Sequence, residues 1–191
     1  MSNSILDTLN ENQRTAATTI NEHVRIIAGA GSGKTRVLMA RIVYLVQDCG
    51  ILPNRILAIT FTNKAANEMK TRLTAQLGSM ANVVRISTIH SLCVRMLRED
   101  ADLIGYPKTF AIMDPEDQKA ILKPIYKTLE VDKTTISYNR ALGAISAYKT
   151  NYIDPQMAGN MAMDDVSITL AKIYAGYEKR RNEMKAMDFD D

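Results

Sequence analysis

Cysteine and histidine are scarce in this 191-residue sequence, which has two of each. Neither Cys49 nor Cys93 belongs to a CxxC pair, and only His23 and His90 are there to join them, which excludes the usual ligand set of a structural zinc site. The two thiols read as small, buried apolar side chains. No apolar run approaches the roughly 18 residues needed to cross a bilayer. The opening "MSNSILDTLNENQ" lacks the basic head and apolar middle of a secretory signal. A cytoplasmic chain with no membrane association is expected. There is no low-complexity tract, and 46% apolar with 24% charged residues excludes a disordered chain. A strong charge excess is also lacking. The net charge of +3 does not by itself announce nucleic acid, although residues 1–110 carry 13 Lys and Arg against 8 acids and residues 111–191 carry 11 against 13. A mildly basic first half is compatible with phosphate binding and equally with a solvated surface.

What is present is a rhythm. Short β-branched runs alternate with helical patterns through residue 110, which predicts a parallel sheet with crossover helices. The expected strands are Val24–Ile27, Ile56–Phe61 and Val83–Thr88. The second is almost wholly apolar, as in a sheet covered on both faces. Helical spacing follows each strand. Beyond residue 110 no strand is expected. "DPEDQKAILKPIYKTL" predicts a helix capped by Asp114 and kinked or divided at Pro124. Two more helical patterns follow, separated by loop-like "TNYIDPQMAGN". The expected fold class is α/β, a P-loop parallel sheet with flanking helices, followed by an all-helical lobe, with the division between residues 110 and 111.

"AGAGSGKT", Ala28 to Thr35, sits between an expected strand and an expected helix, the context a phosphate loop requires. Glycines let successive backbone N–H groups curve around an anion, and the helix N-terminus adds partial positive charge. Ala28, Gly29, Ala30, Gly31, Ser32 and Gly33 form the cradle. Lys34 would neutralise the β and γ phosphates, and the Thr35 hydroxyl would ligate Mg²⁺. Ala28 stands where the motif usually has glycine. This much implies a nucleoside triphosphate and Mg²⁺, and leaves open which reaction follows.

Four further segments agree with one family: "LNENQ" (Leu9–Gln13), "AITFTNKAANEMKTRL" (Ala58–Leu73), "STIHSLCVRML" (Ser87–Leu97) and "MDFDD" (Met187–Asp191). With the phosphate loop they closely resemble the UvrD/Rep/PcrA-type superfamily-one DNA helicases, in order, from about Leu9 to Asp191. The resemblance implies a RecA-like ATP-binding motor domain over residues 1–110, called 1A, and a helical insertion, 1B, over residues 111–191. It implies 3′-to-5′ translocation on DNA in repair or replication. Single-stranded DNA, single-strand/duplex junctions and a downstream motor domain of the same parent chain are the implied partners.

Residue by residue, Gln13 resembles the adenine-reading glutamine, and Arg36 is similar to a family residue near the base. Phe61 resembles a residue on which a DNA base stacks, with Thr62, Asn63 and Lys64 near phosphates; the residues alone equally allow Phe61 to end a buried strand. Thr88 and His90 match a DNA-contacting segment usually written Gly-Thr-Phe-His-Ser, from which Ser87 and Ile89 depart. His90 is equally a helix cap or a core histidine. In the lobe, Lys149, Lys179, Arg180 and Arg181 are candidate phosphate contacts. The family's Asp-Glu pair, which holds magnesium and orients water, occurs nowhere in the sequence. Pro115 follows Asp114 where a glutamate would be needed. The chain is therefore expected to be an N-terminal portion of a longer helicase, catalytically inactive alone; a truncated, non-catalytic binding module is the alternative.

Overall fold

The computed structural model describes residues 5–191, which divide into two compact units, one ending at Cys93 and one running from Val94 to Asp191. In the first unit, α1 (Glu11–Thr18) precedes the glycine-rich loop, and α2 (Lys34–Gln47) follows it. Strand β1 (Leu57–Thr60), α3 (Asn63–Leu77), β2 (Arg85–Thr88) and α4 (Ile89–Asp100), which passes the boundary, complete the series. β1 and β2 pair in parallel, with Leu57 opposite Arg85 and Thr60 opposite Thr88.

Helical spacing places the core. Ala66, Met69, Leu73 and Leu77 fall on one side of α3 and are buried. Met69, Leu73 and Leu77 meet Met39, Ile42 and Val43 of α2 and Ala58 of β1 in one cluster. β1 buries Ala58 but leaves Leu57 and Ile59 about half exposed. The apolar run was expected in a sheet covered on both faces; here only one face is covered. A smaller cluster joins Ala17 of α1 to Val37 and Ala40 of α2. Arg41 reinforces it by donating from Nη1 to the carbonyls of Ala16, Ala17 and Thr19. Those carbonyls end α1 without helical partners, so Arg41 fixes α1 to the helix that leaves the loop.

The strand expected at Val24–Ile27 does not form. Parallel strands exist only by lateral pairing, and β1 pairs only with β2 among the described residues. No strand lies between α1 and α2 among the described residues, and Ile26 and Ile27 stand exposed. The expectation of two buried thiols is not met: Cys49 is half-buried and Cys93 is exposed on α4.

The second unit is mainly helical, but not wholly as expected. β3 (Ala111–Ile112) pairs in parallel with β4 (Ala186–Met187). α5 (Pro115–Thr128) starts at Asp114, whose side chain accepts from the Glu116 and Asp117 amides, confirming the expected cap. α5 continues through Pro124 instead of dividing there. Packing of Ile121, Leu122 and Tyr126 holds the turns on either side of the proline. α6 (Tyr138–Thr150) and α8 (Asp165–Glu183) match the expected patterns, while the segment read as loop contains α7 (Pro155–Met161), capped by Asp154. The core joins Tyr126, Ile136, Ile145, Ile173 and Tyr177. Among the described residues no helix is long and apolar enough to cross a membrane.

Candidate nucleotide and nucleic-acid site

Most helices of this protein close their first turn with a side chain. Asn10, Thr62, Asp114, Ser137, Asp154 and Asp164 cap α1, α3, α5, α6, α7 and α8. α2 differs. Its N-cap is Gly33, in the left-handed region at φ 84°, with no side-chain hydrogen bond. Glycine adopts that conformation without a Cβ penalty, and it leaves the first-turn amides of α2 open to an anion. Gly31 repeats the left-handed geometry at φ 72°. The Lys34 Nζ donates to the carbonyls of Ala28 at 2.9 Å and Gly29 at 2.6 Å, and the Ser32 hydroxyl donates to Gly29 at 2.8 Å. Residues 28–34 therefore form a closed ring with an ammonium held over it. Neutral carbonyls are weaker acceptors for that ammonium than phosphate oxygens. Thr35 and Arg36 lie exposed in the first turn of α2.

Gln13 belongs to the same region. Asn10 and Gln13 form a capping box, in which the Asn10 side chain accepts from the Gln13 amide at 2.9 Å and Gln13 Oε1 accepts from the Asn10 amide at 3.1 Å. Gln13 Nε2 donates to the Ser32 carbonyl at 3.0 Å. A cavity of about 220 Å³ opens here, with Asn10, Gln13, Ile27, Ser32, Lys34 and Val37 among its lining residues. Asn-x-x-Gln ahead of a helix is a local signal that could have found the box; the bond to Ser32 has no such signal.

The second set of expected residues lies at the carboxyl end of the small sheet. The pairing of Thr60 with Thr88 brings the segments after β1 and β2 to the same end, the end at which open α/β sheets bind ligands. Phe61 is 100% exposed there. It does not end a buried strand. Thr62 accepts from the Ala65 amide at 3.1 Å and so caps α3, and Asn63 and Lys64 are exposed in its first turn. His90 is exposed at the start of α4, as is Ile89. Thr88 departs from expectation. Its side chain is turned inward, 2.8 Å from the Ser91 hydroxyl and accepting from the Ser91 amide, so it holds the start of α4 instead of facing DNA.

Lys149 also departs from expectation. Its side chain is 7% exposed and lies 2.8 Å from Asp188, 2.7 Å from Asp191 and 3.0 Å from Glu178. Arg181, also buried, contacts Glu178 at 2.6 Å and Asp191 at 3.3 Å and donates to the Ala186 carbonyl. The Tyr177 hydroxyl donates to Asp188 at 2.7 Å. Burial and that bond push the Tyr177 hydroxyl far above its ordinary value. These two cations meet carboxylates of their own chain, so neither faces solvent as a phosphate contact must. Lys179 and Arg180 are exposed, with Arg180 3.2 Å from Glu183. The network was missed because its members lie up to 42 residues apart, with no shared local period. Among the described residues no group of three or more His, Cys, Asp or Glu side chains is placed to hold a metal ion.

Residues 9–191 match the family described as "UvrD/REP helicase N-terminal domain". The chain is similar to proteins named ATP-dependent DNA helicase PcrA from Staphylococcus aureus and Staphylococcus epidermidis, 44% identical over 189 residues in each case. That alignment covers 99% of this chain and 26% of each relative, so the chain spans about a quarter of their length.

Proposed function

The chain belongs to the UvrD/REP helicase N-terminal domain family, and from that premise we propose that it is the ATP- and DNA-binding N-terminal portion of an ATP-dependent DNA helicase. In this reading the sheet of the first unit is part of a RecA-like P-loop motor domain, 1A, over residues 1–110, and residues 111–191 are the helical insertion 1B. The parent moves 3′-to-5′ along single-stranded DNA in the cytoplasm, opens single-strand/duplex junctions during repair or replication, and completes its ATP site with its downstream motor domain.

The observation that carries this reading is the Lys34 ammonium held over a ring of backbone that ends at an uncapped helix. The open amides of α2 and Lys34 receive the triphosphate, Gln13 the base, with Arg36 close by, and the exposed Thr35 hydroxyl offers one oxygen to Mg²⁺. Magnesium, when bound, offsets charge on the transferred phosphoryl group. At the sheet's carboxyl end Phe61 presents a bare ring to an unpaired base, with Asn63, Lys64 and His90 beside the backbone.

Calorimetric titration with MgATP tests the nucleotide assignment. Wild-type protein is expected to bind, and Lys34→Ala to bind about 10- to 150-fold more weakly, the span for losing a charged hydrogen-bond donor. No binding by wild type, or equal binding by Lys34→Ala, overturns it.

A further inference from the structure

A groove of about 480 Å³ lies between the second halves of α5 and α8, apart from every residue assigned above to nucleotide or single-stranded DNA. Its α5 wall is apolar, built by Pro124, Ile125 and the exposed Leu129. Its α8 wall is cationic, with Lys172, Lys179 and Arg180. Gly176 stands between those cations without a side chain, and Ile125 lies against it. An added Cβ there would come within 3.2 Å of Ile125 Cγ2. Lys172, Gly176 and Lys179 fall at i, i+4 and i+7 and so share one face of α8. The two lysines are about 10 Å apart along the helix axis.

The three cations are not equivalent. Arg180 is paired with Glu183 at 3.2 Å, so its charge is already offset. Lys172 and Lys179 have no ion pair among the described residues. In that they differ from Lys149 and Arg181, whose carboxylates come from their own chain. The groove also offers more than a strip for phosphates. A nucleic-acid backbone would use the lysines and leave Ile125 and Leu129 without a partner. Carboxylates on either side of a bulky apolar side chain would use both walls.

We propose that this groove docks a short acidic segment of a partner protein. A large apolar side chain sits on Ile125 and Leu129, and one carboxylate reaches each of Lys172 and Lys179. An extended segment with carboxylates three residues apart spans about 10 Å, which matches the lysine spacing. Gly176 keeps the floor open between the two lysines. Apolar burial supplies most of the affinity, and the exposed ion pairs set the register.

The probe is a fluorescein-labelled peptide, Glu-Asp-Phe-Leu-Asp-Glu, titrated with the full 191-residue chain and followed by anisotropy. Binding is expected. Replacing Phe-Leu by Ser-Ser, at unchanged charge, is expected to weaken it about tenfold or more. The double variant Lys172→Glu, Lys179→Glu changes only exposed side chains of α8 and is expected to weaken binding about fivefold or more. Lys70→Glu with Arg72→Glu, exposed on α3, makes the same change in net charge and is expected to leave affinity within about twofold. Leu129→Ser is expected to weaken the Phe-Leu peptide about threefold or more and to leave the Ser-Ser peptide unchanged. No binding by wild type overturns the proposal, as does an equal loss in the two charge-reversed proteins. Equal affinity for the two peptides, both displaced alike by a DNA duplex, identifies a phosphate surface and overturns it as well.

Discussion

The Lys149 ammonium lies 2.8 Å from Oδ2 of Asp188, a carboxylate whose side chain has no exposure to solvent. This contact ties α6 to the residues just after β4. With Glu178, Arg181 and Asp191 it forms a buried set of two cations and three carboxylates.

Removing one member of such a set leaves buried charge without a partner. Lys149→Met is expected to lower unfolding free energy by about 3–5 kcal/mol. Lys179→Ala, on the exposed side of α8, is expected to change it by no more than about 0.5 kcal/mol. Urea unfolding followed by circular dichroism distinguishes the two, and equal stabilities would refute a structural role for Lys149.

Stability is also expected to depend on pH at both ends of the scale. Burial pushes Asp188 and Glu178 upward, but Lys149 with Tyr177 on the former, and Arg181 with Lys149 on the latter, more than offset it. Both carboxyls end below their ordinary values of 3.8 and 4.5, so their contribution is complete above those values and is lost as pH falls through the folded ones. Burial raises Asp191, which is relieved by protonation and blunts the onset of that loss. Burial pushes Lys149 down, but its bonds to Asp188 and Asp191 lift it above 10.5, so its contribution is complete below 10.5 and lost as pH rises through the folded value. Melting temperature is expected to hold a plateau from about pH 5 to 10 and fall on both sides. An alkaline limb unchanged in Lys149→Met would contradict the assignment.

Phe61 is expected to matter for binding and not for folding. Its side chain is wholly exposed, so Phe61→Ala should leave stability within about 0.5 kcal/mol of wild type. Affinity for labelled single-stranded DNA should fall by about 1–3 kcal/mol, with the salt dependence unchanged. Lys64→Ala should instead reduce the slope of log affinity against log salt by about 0.7. Fluorescence anisotropy across a salt series separates them, and a Phe61→Ala protein with wild-type affinity would sink the stacking role.

Asp114→Ala is expected to cost about 1 kcal/mol, because two first-turn amides of α5 lose their acceptor. MgATP affinity, measured by calorimetry, should not change. A weakened nucleotide affinity with unaltered stability would mean that the carboxylate serves the site and not the helix.

The glycine-rich turn ahead of α2 was legible because its requirements are local. Glycines at two left-handed positions, a lysine and a helix start lie within eight residues, and Lys34 closes them onto the Ala28 and Gly29 carbonyls. Helices α2, α3, α5, α6 and α8 were legible for a similar reason: their apolar residues recur at the helical period, and caps such as Asp114 stand one step ahead of it. The apolar run Val24–Ile27 shows where local reading stops. Its composition suits a strand, but a strand is made by its neighbours, and no ladder reaches it among the described residues.

Position within a helix likewise did not decide which lysines face solvent. Lys149 and Lys179 both lie near the ends of helices and read alike in sequence. One is folded into a buried carboxylate set and the other stands in water. The sequence by itself determined backbone-scale features: where glycines bend the chain into a helix start, where most helices begin, and that a phenylalanine stands at the end of an apolar strand run. Tertiary structure alone decided whether each side chain met solvent, a carboxylate or a distant carbonyl. Contacts such as Gln13 with Ser32 and Lys149 with Asp188 depend on packing between segments 19 and 39 residues apart, and no local period in the chain encodes that packing.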